Sequence, residues 1–81
     1  MIYPVTFKTF GRYRQTQIEG LYSTPELAKA RMDRIEAQCR KEESPFIVVT
    51  RENDSVMVSG RNIAFETCQY TIEPAIELDA G

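Results

Sequence analysis

The stretch from Gly20 to Cys39, GLYSTPELAKARMDRIEAQC, decides the fold class. Apolar side chains recur within it at helical spacing and share a narrow arc, at Ala28, Met32, Ile35 and Cys39. Charged residues occupy the opposite side. The pattern predicts one amphipathic helix from Pro25 to Glu43, whose narrow apolar stripe suits packing across a single sheet. Glu36 and Arg40 are spaced for an ion pair on this helix.

The polar residues in front of the helix are typical of a helix start. With Ser23 as N-cap, Glu26 takes the third helical position and completes a Ser-x-x-Glu capping box. The alternative has Thr24 as N-cap and Pro25 as the first helical residue. Both arrangements give these residues a structural duty, so we place no anion site here.

Two strands are predicted before the helix. Residues 3–9 alternate with a period of two, with Tyr3, Val5 and Phe7 on one side and Pro4, Thr6 and Lys8 on the other. After a polar run, Thr16, Ile18 and Tyr22 share one parity, with Gly20 between them. We therefore expect a hairpin with its loop near 11–14, and a bulge or close backbone approach at Gly20.

Three further strands are predicted after the helix. The β-branched run 46–50 is typical of an interior strand, and 56–58 would return as its partner. Residues 67–73 alternate with one polar face, and Pro74 marks either an edge strand or the end of the strand. The predicted order is β-β-α-β-β-β, an α+β fold with one antiparallel sheet and a single helix packed on one face.

Length and composition predict one folded domain over residues 1–81. The 81 residues are 42% hydrophobic and 27% charged, which is ordinary for a globular chain. A core of this size gives marginal stability, so a homodimer would add useful buried surface.

The residue types present predict a protein that is not an enzyme and uses no metal or cofactor. The chain has no histidine, which removes the commonest general base and metal ligand. Its four glycines are scattered, so no phosphate-binding loop is visible. Only the carboxylates of Glu73, Glu77 and Asp79 could serve acid–base chemistry, and such a cluster is more typical of solvated surface.

The two cysteines and the N-terminal segment favour a cytoplasmic protein. Cys39 and Cys68 show no metal or redox spacing and are interpreted as reduced core residues, with a disulfide or reactive thiol as the alternative. The first ten residues do not resemble a signal peptide, and no apolar run is long enough to span a membrane.

Charge is divided unevenly along the chain. Residues 1–41 contain eight basic and four acidic residues, a net of +4, whereas residues 42–81 contain two and eight, a net of −6. The two halves either neutralise each other in the fold or form separate poles.

The best binding candidate is the first hairpin, where cations and aromatic residues alternate at Lys8, Phe10, Arg12, Tyr13 and Arg14. This composition suits a protein interface or a phosphate backbone with stacked bases. The net charge of −2 favours a protein over nucleic acid. The alternative is a solvated loop whose aromatic rings fold back onto the sheet.

Three segments carry a resemblance to a family: Ile2-Tyr3, the stretch 20–28 (GLYSTPELA), and the closing 70–73 (YTIE) with the acidic 77–79. With them the chain resembles small uncharacterised accessory proteins of bacteriophages and mobile elements. It departs from their pattern by an additional hairpin from Phe46 to Phe65. The resemblance implies a compact α+β accessory protein and no particular activity.

Such proteins often act by occupying a host protein, for example a defence or transcription component, because a stoichiometric inhibitor needs only a surface. We therefore expect a host protein as the partner. The alternatives are a nucleic-acid or nucleotide-binding module that uses Arg12, Tyr13 and Arg14, and a sponge for a small anionic signal molecule.

Overall fold

A computed structural model describes residues 1–11, 14–60 and 67–77. Its elements, in chain order, are β1 (Tyr3–Phe10), β2 (Gln15–Tyr22), α1 (Pro25–Arg40), β3 (Ile47–Glu52), β4 (Ser55–Gly60) and β5 (Thr67–Ile72). All five strands form one antiparallel sheet in the order β2-β1-β5-β4-β3, and α1 packs on one face. The predicted fold class and element order are confirmed.

The position of each strand in the sheet differs from its position in the chain. The last strand, β5, is central, while β2 and β3 are the two edges. The prediction that residues 46–50 form an interior strand is therefore wrong. Val49 of this run is buried whereas Thr50 is exposed, so its apolar residues serve one covered face of an edge strand. Pro74 follows the end of β5 and marks a strand end.

The core is the contact between α1 and the sheet face beneath it. Helix residues of the predicted stripe pack there against four valines from three strands. The buried set is Val5, Ala28, Met32, Ile35, Val49, Val56 and Val58. Cys39 and Cys68 are half-buried beside this cluster. Among the residues that the structure describes, the largest fully buried side chain is Met32.

A β-bulge interrupts β2. Val5 lies opposite Gly20 and Thr6 lies opposite Ile18, which leaves Glu19 without a register partner on β1. An extra residue reverses the alternation of side chains. Ile18 therefore shares the face of Thr6, away from the helix, whereas Tyr22 shares the helix face with Val5. The sequence pattern predicts Ile18 and Tyr22 on the same face of the strand, but the bulge places them on opposite faces.

Gly20 is a point of close approach, as predicted. A Cβ atom at this position would lie 2.7 Å from Oη and 2.9 Å from Cε2 of Tyr22, closer than real Cβ atoms come. The ring of Tyr22 therefore lies across the backbone of Gly20, and only glycine leaves room for it.

The N-cap of the helix lies one residue after Ser23, the first of the two predicted caps. Thr24 is the N-cap, and its Oγ1 accepts a hydrogen bond from the N–H of Leu27 at 3.2 Å. Pro25 is the first helical residue, so Glu26 does not reach the capping-box position with Ser23. The Ser23 assignment is wrong and the Thr24 alternative is correct. The helix ends at Arg40, three residues before the predicted Glu43.

Ion pairs fasten α1 to both edges of the sheet. On one side Arg31 pairs with Glu19 of β2. On the other side Arg51 of β3 pairs with Asp33 at 3.0 Å and with Glu36 at 3.1 Å. The predicted pair between Glu36 and Arg40 is present at 2.7 Å. The ion pairs of Arg31 and Arg51 thus connect the helix to the strands at the two opposite ends of the sheet.

Candidate functional site

The structure describes three of the five residues of the predicted hairpin site. Lys8 and Phe10 lie on β1, and Arg14 is exposed just before β2. Arg12 and Tyr13 lie outside the described residues, so their proposed role stays a prediction. The hairpin itself is present, since β1 and β2 pair along their length with residues 11–14 between them.

Lys8 is already engaged within the protein. Its Nζ lies 3.0 Å from Oε1 of Glu73, and the same oxygen accepts a hydrogen bond from Oγ1 of Thr6 at 2.7 Å. These three side chains lie on the sheet face away from α1, here called the open face. The contact also joins the basic first half of the chain to its acidic second half, and Arg40–Glu43 does the same.

The carboxylate of Glu73 is held in its charged form. The hydrogen bond from Thr6, and then that from Lys8, lowers the pKa of Glu73 below its ordinary value. A general acid at neutral pH needs the opposite shift. Glu77 is exposed, and Asp79 lies outside the described residues. Within the described residues of the C-terminal carboxylate cluster, Glu73 therefore forms a structural ion pair with Lys8.

Large apolar side chains project from β2 on the open face. Ile18 is 67% exposed and Leu21 is 59% exposed. In register they lie opposite Thr6 and Pro4 of β1, so they stand at the outer margin of the sheet. Adjacent exposed apolar groups of this size mark interaction surfaces in soluble proteins.

The two edge strands differ in how well they are protected. Natural edges are blunted by charged side chains, prolines or short length. β3 has six residues, among them Arg51 and Glu52, and Pro45 precedes it. β2 has eight residues without proline, and its single charged side chain, Glu19, is turned toward α1 by the bulge. β2 is therefore the edge with less protection against pairing with another chain.

A groove runs along the helix side of β2. Its first part is a cavity of about 380 Å³ lined by Tyr22, Leu27, Ala30 and Arg34 together with Glu19 and Arg31. The same Glu19 and Arg31 also line a second cavity of about 300 Å³, with Ile35, Gln38, Cys39, Glu42 and Tyr70. The Glu19–Arg31 pair thus borders both cavities, which are here together called the β2–α1 groove.

The two parts of the groove carry opposite charges. Glu19 and Arg31 neutralise each other at its middle. Arg34 lines the first part and Glu42 lines the second. Within the described ranges neither of these two side chains has an ion-pair partner. Among the described residues, the groove therefore offers an unpaired cation in its first part and an unpaired anion in its second.

Both thiols are poor nucleophiles at neutral pH. Burial raises the pKa of Cys39 and of Cys68 above the ordinary thiol value. Both are free cysteines, and both are half-buried beside the core cluster. The wall of the groove at Cys39 is accordingly apolar and uncharged.

The described residues hold no group of three or more acidic or cysteine side chains that could bind a metal ion. In the same part of the chain, no helix combines the length and apolarity needed to cross a membrane.

Sequence reasoning missed the residues that border β2. It placed the interest in the loop before β2, whereas Ile18, Leu21, Leu27 and Arg34 surround the strand itself. The available signal was composition, because QTQIEGLY has one charge and no proline over a whole strand. The neighbouring Glu19 and Gly20 were also compatible with a bulge that exchanges the two faces.

Comparison of the chain with protein-family models, with curated proteins and with solved structures found no match in any of the three. Its function must therefore be argued from the surface that these residues build.

Proposed function

We propose that this protein is a small binding module, a phage-type accessory protein, that engages a host protein through its β2 edge and thereby modulates or inhibits it. The binding surface comprises β2, the exposed side chains of Ile18 and Leu21 on the open face, and the β2–α1 groove on the helix face. The chain performs no chemistry in this proposal and acts by occupancy.

The observation that carries the proposal is the exposure of Ile18 and Leu21 on the less protected edge. Burying an exposed leucine or isoleucine gives about 1.5–3 kcal/mol, so two such neighbours can supply a substantial part of a small interface. An unpaired strand edge adds main-chain hydrogen bonds. Both contributions come from the same eight residues.

A protein partner fits this surface better than nucleic acid. Sequence-independent binding to a phosphate backbone needs several free cations. Lys8 is paired with Glu73 and Arg31 is paired with Glu19, so neither is free for phosphate. The net charge of the chain is −2. Apolar side chains at a strand edge match the composition of protein interfaces instead.

The experiment is affinity capture from host lysate with the wild-type protein and two matched variants. Ile18→Glu places a charge on the proposed surface. Phe46→Glu makes the same change at a side chain of equal exposure, 67%, that lies outside it. We expect a stoichiometric partner that the wild type and Phe46→Glu retain and that Ile18→Glu loses.

Circular dichroism of both variants verifies that each is folded. Loss of the partner from both variants, retention by both, or the absence of any stoichiometric partner with the wild type would contradict the proposal.

A further inference from the structure

We infer that the partner presents to β2 an extended segment, which pairs as a sixth strand and carries an acidic residue four positions before a basic one. This inference rests on the proposed function and adds the conformation and the charge order of the bound segment.

The backbone of β2 favours an extended segment. β2 ends the sheet, and no strand in the described part of the chain pairs with its outer side. A strand added there would lie about 4.8 Å farther out. At that position it runs beside the β2–α1 groove, whose walls are β2 and the helix. Pairing with an edge strand next to a helix-lined groove is a recurrent way to bind peptides.

The side chains on the two faces of such a strand would meet different surfaces. Successive side chains of a strand point to opposite faces. One set would contact Ile18 and Leu21 on the open face, which calls for apolar residues. The other set would enter the groove toward Arg34, Ile35 and Glu42. The segment therefore needs apolar residues at alternate positions and charged residues between them.

The spacing of the groove charges sets the spacing in the segment. Arg34 lies six residues before the helix end at Arg40, and Glu42 follows in a turn whose N–H donates to the carbonyl of Cys39 at 3.0 Å. Because this turn continues the direction of the helix, Arg34 and Glu42 are about 12 Å apart along it. An extended chain covers that length in about four residues. Residues separated by four positions lie on the same face of a strand. A segment can therefore place an acidic side chain at Arg34 and a basic one at Glu42 without a change of register.

The order of the charges follows from the direction of the elements. β2 and α1 run antiparallel, because Tyr22 and Leu27 share one end of the groove while Glu19 and Arg31 meet farther along. A segment that meets Arg34 before Glu42 runs with the helix and hence antiparallel to β2. Antiparallel pairs are the more common kind. The acidic residue therefore precedes the basic one.

A second copy of this chain matches the charges of the groove less well than a separate protein can. The β2 strand of a partner copy would carry Glu19 as its only charge and no basic residue. It would leave Glu42 without a cation. A separate protein can supply both charges, and we therefore assign the groove to a segment of another protein.

The test is selection of displayed random seven-residue segments, flanked by flexible linkers, on the immobilised full-length protein. We expect enrichment of segments with Asp or Glu four positions before Lys or Arg, with apolar residues between them. Arg34→Glu as bait should change the first preference from acidic to basic. Lys29→Glu makes the same charge change at an exposed helix position outside the groove and should leave the preference unchanged.

A synthetic consensus peptide then measures affinity. Exchange of its two charged residues should weaken binding about tenfold, since it replaces two exposed ion pairs by two like-charge contacts. No enrichment, enrichment without the charge order, or a dimer that occupies β2 in a solution mass measurement would overturn the inference. Capture of a partner that depends on Ile18, without any enriched segment, would refute this inference and leave the proposed function standing.

Discussion

The bulged residue Glu19 of β2 pairs with Arg31 of α1, and this contact spans the groove between the edge strand and the helix. Arg31 donates from Nε at 3.2 Å and from Nη2 to the same oxygen of Glu19. The hydrogen bond to Glu19 raises the pKa of Arg31 above its ordinary value. The bulge thus removes the only charge of β2 from the strand's own edge and places it in the groove.

The Glu19–Arg31 pair should matter more for binding than for stability. Both side chains are partly exposed, and exposed pairs contribute about 0.2–1 kcal/mol. Glu19→Gln should therefore lower the free energy of unfolding by less than about 1 kcal/mol, measured by urea denaturation. It should also strengthen binding of the consensus peptide, because Arg31 then offers a second cation to its acidic residue.

Glu77→Gln is the matched control for this prediction, because it removes an exposed carboxylate outside the groove. It should leave the peptide affinity unchanged. A loss of several kcal/mol of stability in Glu19→Gln would instead make the pair a main support of the helix.

Gly20→Ala should displace the ring of Tyr22. The added methyl group would lie 2.7 Å from the hydroxyl oxygen of that ring, so the side chain must move. We expect changed NMR shifts of the Tyr22 ring protons and a loss of about 1 kcal/mol, in the range of common destabilising substitutions. Adding Tyr22→Phe should recover part of that loss. Unchanged ring shifts in Gly20→Ala would contradict the close approach.

Alanine substitutions at Ser23 and Thr24, the two residues before α1, test which of them is the N-cap. Thr24→Ala removes the acceptor for the Leu27 N–H and should cost about 1 kcal/mol in thermal or chemical unfolding. Ser23→Ala, one residue earlier, should leave stability nearly unchanged. A larger loss for Ser23→Ala than for Thr24→Ala would restore the capping box with Glu26.

The Glu73 contacts predict how stability depends on pH. The pKa of Glu73 is lowered in the folded protein, so the carboxylate stabilises the fold above the unfolded pKa, about 4.3. This stabilisation should be lost as the pH falls from about 5 through the lowered folded value. Denaturation at several pH values should show that the free energy of unfolding falls less at acid pH in Glu73→Gln than in the wild type. Identical pH profiles for the two proteins would contradict it.

Local features of the fold were predictable, and pairings between distant segments were not. The helix stripe at Ala28, Met32 and Ile35 follows from spacing within one segment and is confirmed. The central position of β5 depends on pairing with β1, some sixty residues away, which no local pattern encodes. The N-cap was uncertain by one residue, because Ser23 and Thr24 both have suitable hydroxyl groups.

The candidate site was predictable only in its neighbourhood. The alternation of cations and aromatic residues drew attention to the first hairpin, but the partner of Lys8 is Glu73, 65 residues away. The exposure of Ile18 depends on one extra residue in β2, since without the bulge this side chain would face the helix. The extra residue thus moves Ile18 from the helix face, which it would share with Tyr22 by simple alternation, to the open face.

Hydrogen–deuterium exchange on the captured complex shows directly whether the partner binds at the β2 edge. β2 and β3 are the two edges of the same sheet, so each serves as the internal control for the other. We expect the partner to slow exchange of the amides in Gln15–Tyr22 and to leave those in Ile47–Glu52 unchanged. Protection of β3 with no change in β2 would contradict it.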